Sequence, residues 1–231
     1  MNINDYLTGK ASICVVGLGY VGLPLAVTLA KHFKVIGLDI NVARVNELRK
    51  HIDHTHEIST ERLKESTLEL TTDAVDVSHD SIFIMTVPTP IDDSKKPDLT
   101  PVISATQSIA NVMKKGSTIV YESTVYPGVT EDICVPILEK LSGLTWKKDF
   151  NVGYSPERIN PGDTVHTVDK IVKVVSGDTS NEEEESFEIR KKMIETGYVP
   201  LDLVFLDRKQ FQKRKKYLVS ERKHLFHFNN C

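Results

Sequence analysis

The residues best placed to do chemistry begin at Val15-Val16-Gly17-Leu18-Gly19-Tyr20-Val21-Gly22-Leu23-Pro24-Leu25, where three glycines stand between an apolar strand and an amphipathic helix. That arrangement can cradle a pyrophosphate. Gly17 allows a tight turn, Gly19 lets the backbone approach the phosphates, and Gly22 lets the helix pack closely on the strand. The N–H groups at the helix start then point at the anion. Lys34-Val35-Ile36-Gly37-Leu38-Asp39 reads as a second strand ending in a carboxylate, at about the spacing of an acid that takes ribose hydroxyls. Together these two segments predict dinucleotide binding. Three later loops carry further polar groups: Val87-Pro88-Thr89-Pro90, Glu122-Ser123-Thr124-Val125-Tyr126-Pro127-Gly128 and Tyr154-Ser155-Pro156-Glu157-Arg158-Ile159-Asn160-Pro161-Gly162-Asp163. Each sets a hydroxyl, carboxylate or guanidinium beside a proline that stiffens the loop. Thr-Pro and Ser-Pro also begin ordinary turns, but three such loops in order behind a nucleotide fingerprint point to one ligand site.

The elements that must position these loops follow from periodicity. Residues 11–16 read as a strand, 21–31 as a helix, 34–39 as a strand, and 42–50 as a helix capped by Asn41. Residues 59–65 suggest a short helix and 68–71 a short strand, and 81–87 are a continuous apolar run suited to a buried parallel strand. Helical spacing over 99–113 precedes a strand at 117–121, and 150–154 and 171–175 read as two more strands. Parallel neighbours need crossover helices that cover both faces of the sheet. The alternation therefore predicts an α/β, Rossmann-type doubly wound parallel sheet over residues 1–178. In such sheets ligands bind beyond the carboxyl ends of the strands, where all the loops above fall.

Composition narrows the function classes. A chain of 231 residues with 40% apolar content can bury a sizeable core, which excludes disorder for most of it. No apolar stretch approaches the ~18 residues of a membrane span, and the N-terminus lacks the pattern of a signal peptide, so a cytoplasmic protein is expected. The three cysteines, Cys14, Cys134 and Cys231, are too far apart in sequence for a Cys-x-x-Cys clip and suit reduced thiols. His51, His54 and His56 with Asp53 and Glu57 follow a helix in a polar stretch; they read as a solvated loop, with no metal expected. Residues 207–231 carry eight Lys and Arg against two acids, whereas the whole chain is −3. This atypical basic C-terminal tail has no recognisable module around it, and no nucleic-acid partner is expected. Residues 179–231 read as a tail outside the domain, disordered or shifted in frame.

On Gly17-Leu18-Gly19-Tyr20-Val21-Gly22, Val87-Pro88-Thr89-Pro90, Ser123-Thr124-Val125-Tyr126-Pro127-Gly128 and the 155–163 loop, the chain resembles the UDP-glucose/GDP-mannose dehydrogenase family over roughly residues 10–178. Members that oxidise UDP-glucose usually have Phe after the Pro-Glu pair and a second Glu four residues after the first. Arg158 and Pro161 stand there instead, which resembles the branch acting on UDP-N-acetylhexosamines. The resemblance implies that Tyr20, Val21, Asp39, Arg44, Thr89 and Thr124 contact NAD, and that Arg158 and Ile159 line the UDP-sugar site with Glu157 close to the reacting carbon. These roles make physical sense. Asp39 would accept from both ribose hydroxyls and repel a 2′-phosphate, favouring NAD over NADP, although Arg44 nearby could tolerate that phosphate. Thr124 could orient a water, Glu157 could take a proton, and the Arg158 fork suits diphosphate and acetamido oxygens.

The activity so implied is a four-electron oxidation at C6, alcohol to carboxylate, with two NAD reduced in turn for surface polysaccharide precursors. Its second half requires a cysteine thiolate that captures the aldehyde. The family carries that cysteine in a Gly-Gly-His-Cys context, beyond a long helix that supplies a lysine and an asparagine and builds a homodimer. Neither segment is recognisable here, and Cys231, preceded by Phe228-Asn229-Asn230, does not match the motif. The expectation is therefore a catalytically incomplete NAD-binding fragment with its dimer helix missing. Cys14 and Cys134, in a strand and a helix, read as small buried apolar residues.

Overall fold

The computed structural model describes residues 3–91 and 96–155. A short helix α1 (Ile3–Leu7) leads into β1 (Ile13–Val16), α2 (Gly22–Leu29), β2 (Val35–Leu38), α3 (Val42–Arg49), α4 (Thr60–Glu65) and β3 (Glu69–Thr71). A 3₁₀ turn (Ala74–Val77) precedes β4 (Ile82–Met85), α5 (Thr100–Ala110) and β5 (Ser117–Tyr121). A wide π turn (Val129–Cys134) then runs into α6 (Val135–Ser142) and β6 (Phe150–Tyr154).

The six strands form one sheet in the order β3-β2-β1-β4-β5-β6, every pairing parallel. This is the doubly wound Rossmann order, and its direction reverses between β1 and β4. Side chains alternate across the sheet, as the period of two demands. Cys14, Val16, Phe83 and Met85 enter the core shared with α5 and α6, whereas Ile13, Val15, Ile82 and Ile84 enter the one shared with α2 and α4. Each large side chain so buried, Phe83 for instance, stabilises the fold by about 1.5–3 kcal/mol. Two covered faces explain why these strands are apolar throughout rather than alternating.

The expected elements through residue 154 are present with trimmed ends. Asn41 caps α3 through its side-chain oxygen, which accepts from the N–H groups of Ala43 and Arg44 (3.0 and 3.2 Å). The apolar run 81–87 is a strand over Ile82–Met85; the Thr86 N–H still donates to the Val16 carbonyl (2.8 Å), and its hydroxyl turns to the carbonyls of Val16 and Gly17. The expected strand at 171–175 and the tail lie outside the described residues. Among the described residues no helix is long and apolar enough to cross a membrane.

Candidate functional site: a dinucleotide cleft

The glycine turn joins β1 to α2 at the carboxyl edge of the sheet. Gly17 has φ +93°, a conformation L side chains rarely adopt, and its N–H extends the β2 pairing by donating to the Leu38 carbonyl (2.8 Å). At Gly22 a Cβ would overlap the Gly17 carbonyl oxygen and crowd the Thr86 hydroxyl, so only glycine lets α2 start this close to β4. The Thr86 Oγ lies 2.9 Å from the Val16 carbonyl oxygen and 2.7 Å from that of Gly17; its single proton is shared between them and pins the turn from below. Gly19 faces open space, with no atom within 4 Å of where a Cβ would stand. No side chain caps α2, and the Leu23 N–H is already taken by the Gly19 carbonyl (3.0 Å), so the backbone N–H groups ahead of Leu23 are the ones placed to meet an anion.

Asp39 closes this turn from the side. One carboxylate oxygen accepts from the Leu18 N–H (2.7 Å), the other from the Asn41 N–H (2.8 Å). Each oxygen keeps a further lone pair, and the half-buried side chain lines the cleft. The opposite end of Leu18 is held too, since Arg44 Nε donates to the Leu18 carbonyl (2.9 Å). The guanidinium is buried, with Nη2 2.7 Å from Asp53, whose side chain is wholly enclosed. Burial pushes the Asp53 carboxyl up. The Thr55 hydroxyl, the Ile58 N–H, the Arg44 guanidinium and the Thr55 N–H outweigh that and hold it below the usual range.

The far wall comes from the loops after β4 and β5. The Thr89 hydroxyl donates to the Thr124 carbonyl (2.8 Å), and the Ser123 hydroxyl donates to the Val87 carbonyl (2.6 Å), so the two loops are stitched together. Between the walls runs a cleft of about 480 Å³, lined by Gly17, Gly19, Tyr20, Val21 and Asp39 on one side and Thr86, Thr89, Glu122 and Thr124 on the other. Ser155 starts the third loop at the end of β6, its N–H donating to the Tyr121 carbonyl (2.9 Å).

Of the expected site residues, Gly17, Gly19, Tyr20, Val21, Asp39, Thr89 and Thr124 line this one cleft, and Gly22 lies beneath the glycine turn. Arg44 is absent from the lining; its guanidinium is spent on Leu18 and Asp53. Glu157, Arg158 and Ile159 lie outside the described residues. The 51–57 stretch is solvated as expected except at Asp53, which is buried because it neutralises Arg44 and accepts from the N–H groups of Glu57 and Ile58 (3.0 Å each). Cys14 and Cys134 are buried as expected, and burial raises both thiols, the opposite of a reactive thiolate.

Sequence reading missed Thr86, which looks like the end of an apolar strand, and gave no role to Glu122, which is buried at the cleft. It also missed the α5 face formed by Pro101, Ser104, Ala105 and Ser108, which lines the cleft. Small residues at spacings of three, four and seven were its available signal.

A parallel sheet of this order, with a glycine turn and a ribose-type carboxylate at its switch point, defines a dinucleotide-binding Rossmann domain of the dehydrogenase kind. The family model described as "UDP-glucose/GDP-mannose dehydrogenase family, NAD binding domain" matches residues 11–196. The chain belongs to this family and carries its NAD-binding domain. It is 57% identical over 168 residues to a UDP-N-acetyl-D-glucosamine 6-dehydrogenase of Pseudomonas aeruginosa, covering 72% of this chain and 40% of that protein. To the UDP-N-acetyl-D-glucosamine 6-dehydrogenase of Salmonella typhi it is 46% identical over 189 residues, covering 81% and 44%. Among solved structures, a UDP-D-ManNAc dehydrogenase from Pyrococcus horikoshii superposes with a TM-score of 0.72 at 30% identity, covering 85% of this chain and 46% of that one. The chain thus spans about 40% of the length of the first of these relatives.

Proposed function

We propose that this chain is the cofactor-binding part of an enzyme that oxidises a UDP-N-acetylhexosamine at C6 to the uronic acid, feeding surface polysaccharide synthesis. The observation that carries the reading is the single cleft at the β1/β4 switch point. It has the glycine turn and Asp39 on one wall and Thr89 and Thr124 on the other. The chain's similarity to enzymes named for UDP-N-acetylhexosamines supports the substrate class.

The residues fit NAD, which when bound would supply the hydride acceptor. Open space over Gly19 and a helix start without a side-chain cap suit a pyrophosphate, which the backbone N–H groups of Tyr20 and Val21 would meet. Asp39, already oriented by two N–H donors, keeps acceptor capacity for ribose hydroxyls. Thr89 braces the backbone at Thr124, whose hydroxyl would orient a water or the sugar alcohol. Glu157 would take the proton, and Arg158 and Ile159 would contact the sugar nucleotide.

The test is calorimetric titration of the chain with NAD and NADP, repeated with UDP-N-acetylglucosamine or UDP-glucose present. Preference for NAD, with binding tightened by the N-acetylated sugar nucleotide over UDP-glucose, is the expected result. Equal binding of both cofactors, or no discrimination between the sugars, would overturn the proposal.

A further inference from the structure

Asp39 and Arg44 grip the two ends of one residue. The carboxylate takes the Leu18 N–H and the guanidinium takes the Leu18 carbonyl. The cation and the group that would address the ribose hydroxyls are thus separated by no more than Leu18 and the two hydrogen bonds that hold it, roughly 9 Å. An arginine in that neighbourhood is the usual device for accepting a 2′-phosphate, yet here it is turned away. Asp53 takes Nη2 at 2.7 Å, with its side chain wholly enclosed and Arg44 only 4% exposed, and His54 Nδ1 and Glu47 stand 3.3 and 4.0 Å from Nη1. Asp53 cannot swing out to release its partner, because Thr55, Glu57 and Ile58 hold its two oxygens with four further hydrogen bonds.

We infer that Asp53 is a cofactor-specificity residue: by holding the Arg44 guanidinium on the Leu18 carbonyl, it keeps that cation from a 2′-phosphate and reserves the cleft for NAD. Selectivity then has two parts. Asp39 repels the extra phosphate directly, and Asp53 withholds the charge that would compensate. Asp53 touches no cofactor; it acts through Arg44.

The inference rests on the cofactor reading of the cleft, and one experiment separates the two. Dissociation constants for NAD and NADP are measured by calorimetry on the unsubstituted chain, on Asp53→Asn, and on Asp53→Asn combined with Arg44→Met. Asp53→Asn keeps the shape and releases the charge; relative affinity for NADP over NAD should rise about tenfold, the effect of one charge-assisted contact. The double variant should lose that gain, because the released guanidinium is its source. A purely structural role would weaken both cofactors alike, and an unchanged ratio in Asp53→Asn overturns the inference while leaving the cofactor reading intact. Failure of the unsubstituted chain to bind NAD overturns both.

Should Asp53→Asn not fold, Thr55→Val serves in its place. It removes the 2.6 Å hydroxyl bond that helps hold Asp53 and should shift the ratio the same way by less. A fixed ratio there is equally fatal.

Discussion

The two ends of the sheet treat buried charge in opposite ways. At the carboxyl end, Asp53 meets Arg44 and a set of N–H and O–H donors, and its carboxyl is held below the ordinary range although burial alone would raise it. At the amino end, Asp80 is 2% exposed and takes a hydrogen bond from the Ser12 hydroxyl on one oxygen, while its other oxygen has no partner. Burial raises its pKa, and Ser12, His79 and Lys34 offset that only in part. Beside it the Tyr6 hydroxyl lies 2.5 Å from Ser81 Oγ and ties α1 to the start of β4. The amino end is a closed junction where a polar group is tolerated at a cost. The carboxyl end satisfies the Arg44–Asp53 pair, leaving acceptor capacity on Asp39 for a ligand.

Removing the cation at the carboxyl end should show the largest effect. Arg44→Met leaves Asp53 buried without its ion partner and should cost about 3–5 kcal/mol in chemical denaturation. Gly22→Ala follows: its Cβ overlaps the Gly17 carbonyl and crowds the Thr86 hydroxyl, so a loss of about 1–3 kcal/mol is expected, with NAD binding abolished as the turn is pushed open. A stable Gly22→Ala chain that still binds NAD would break the picture of a tightly set turn. Asp39→Ala should weaken NAD in calorimetry by an amount on the order of 1–3 kcal/mol, because charge-assisted ribose bonds are lost.

The smallest effect is the one that sharpens the contrast between the ends. Asp53, with a lowered pKa, adds stability above the ordinary carboxylate value that is lost as pH falls through its folded pKa. Asp80, with a raised pKa, does the reverse: its folded form is favoured at low pH, and stability is lost as pH rises through its folded pKa. Urea midpoints of Asp80→Asn measured across the mildly acidic range should therefore fall less steeply with rising pH than those of the unsubstituted chain. An unaltered slope would mean Asp80 is better paired than its bare oxygen implies.

Local rules made much of this legible. The Asn41 cap, the glycine turn, the acid at the end of β2 and the buried run at β4 each follow from residue type and short spacing. The structure bears them out within a residue or two at most ends. Arg44 was the instructive difficulty. The resemblance implies that it contacts NAD, and spacing says nothing about which way a long side chain runs; here the guanidinium meets the Leu18 carbonyl and Asp53. Asp53 looked solvated because its neighbours in sequence are polar, whereas its burial comes from packing against α3.

By itself, then, the sequence determined the alternation of strands and helices, the phosphate-binding turn and the family, since these depend on periodicity and on residues within a few positions of one another. Only the tertiary structure decided that Thr86 pins a turn 69 residues earlier, that Thr89 braces Thr124 across 35 residues, and that Arg44 reaches back 26 residues to Leu18 and is held there by Asp53. Hydrogen bonds over such separations exist only once the parallel sheet has brought its carboxyl ends together, and no local propensity encodes them.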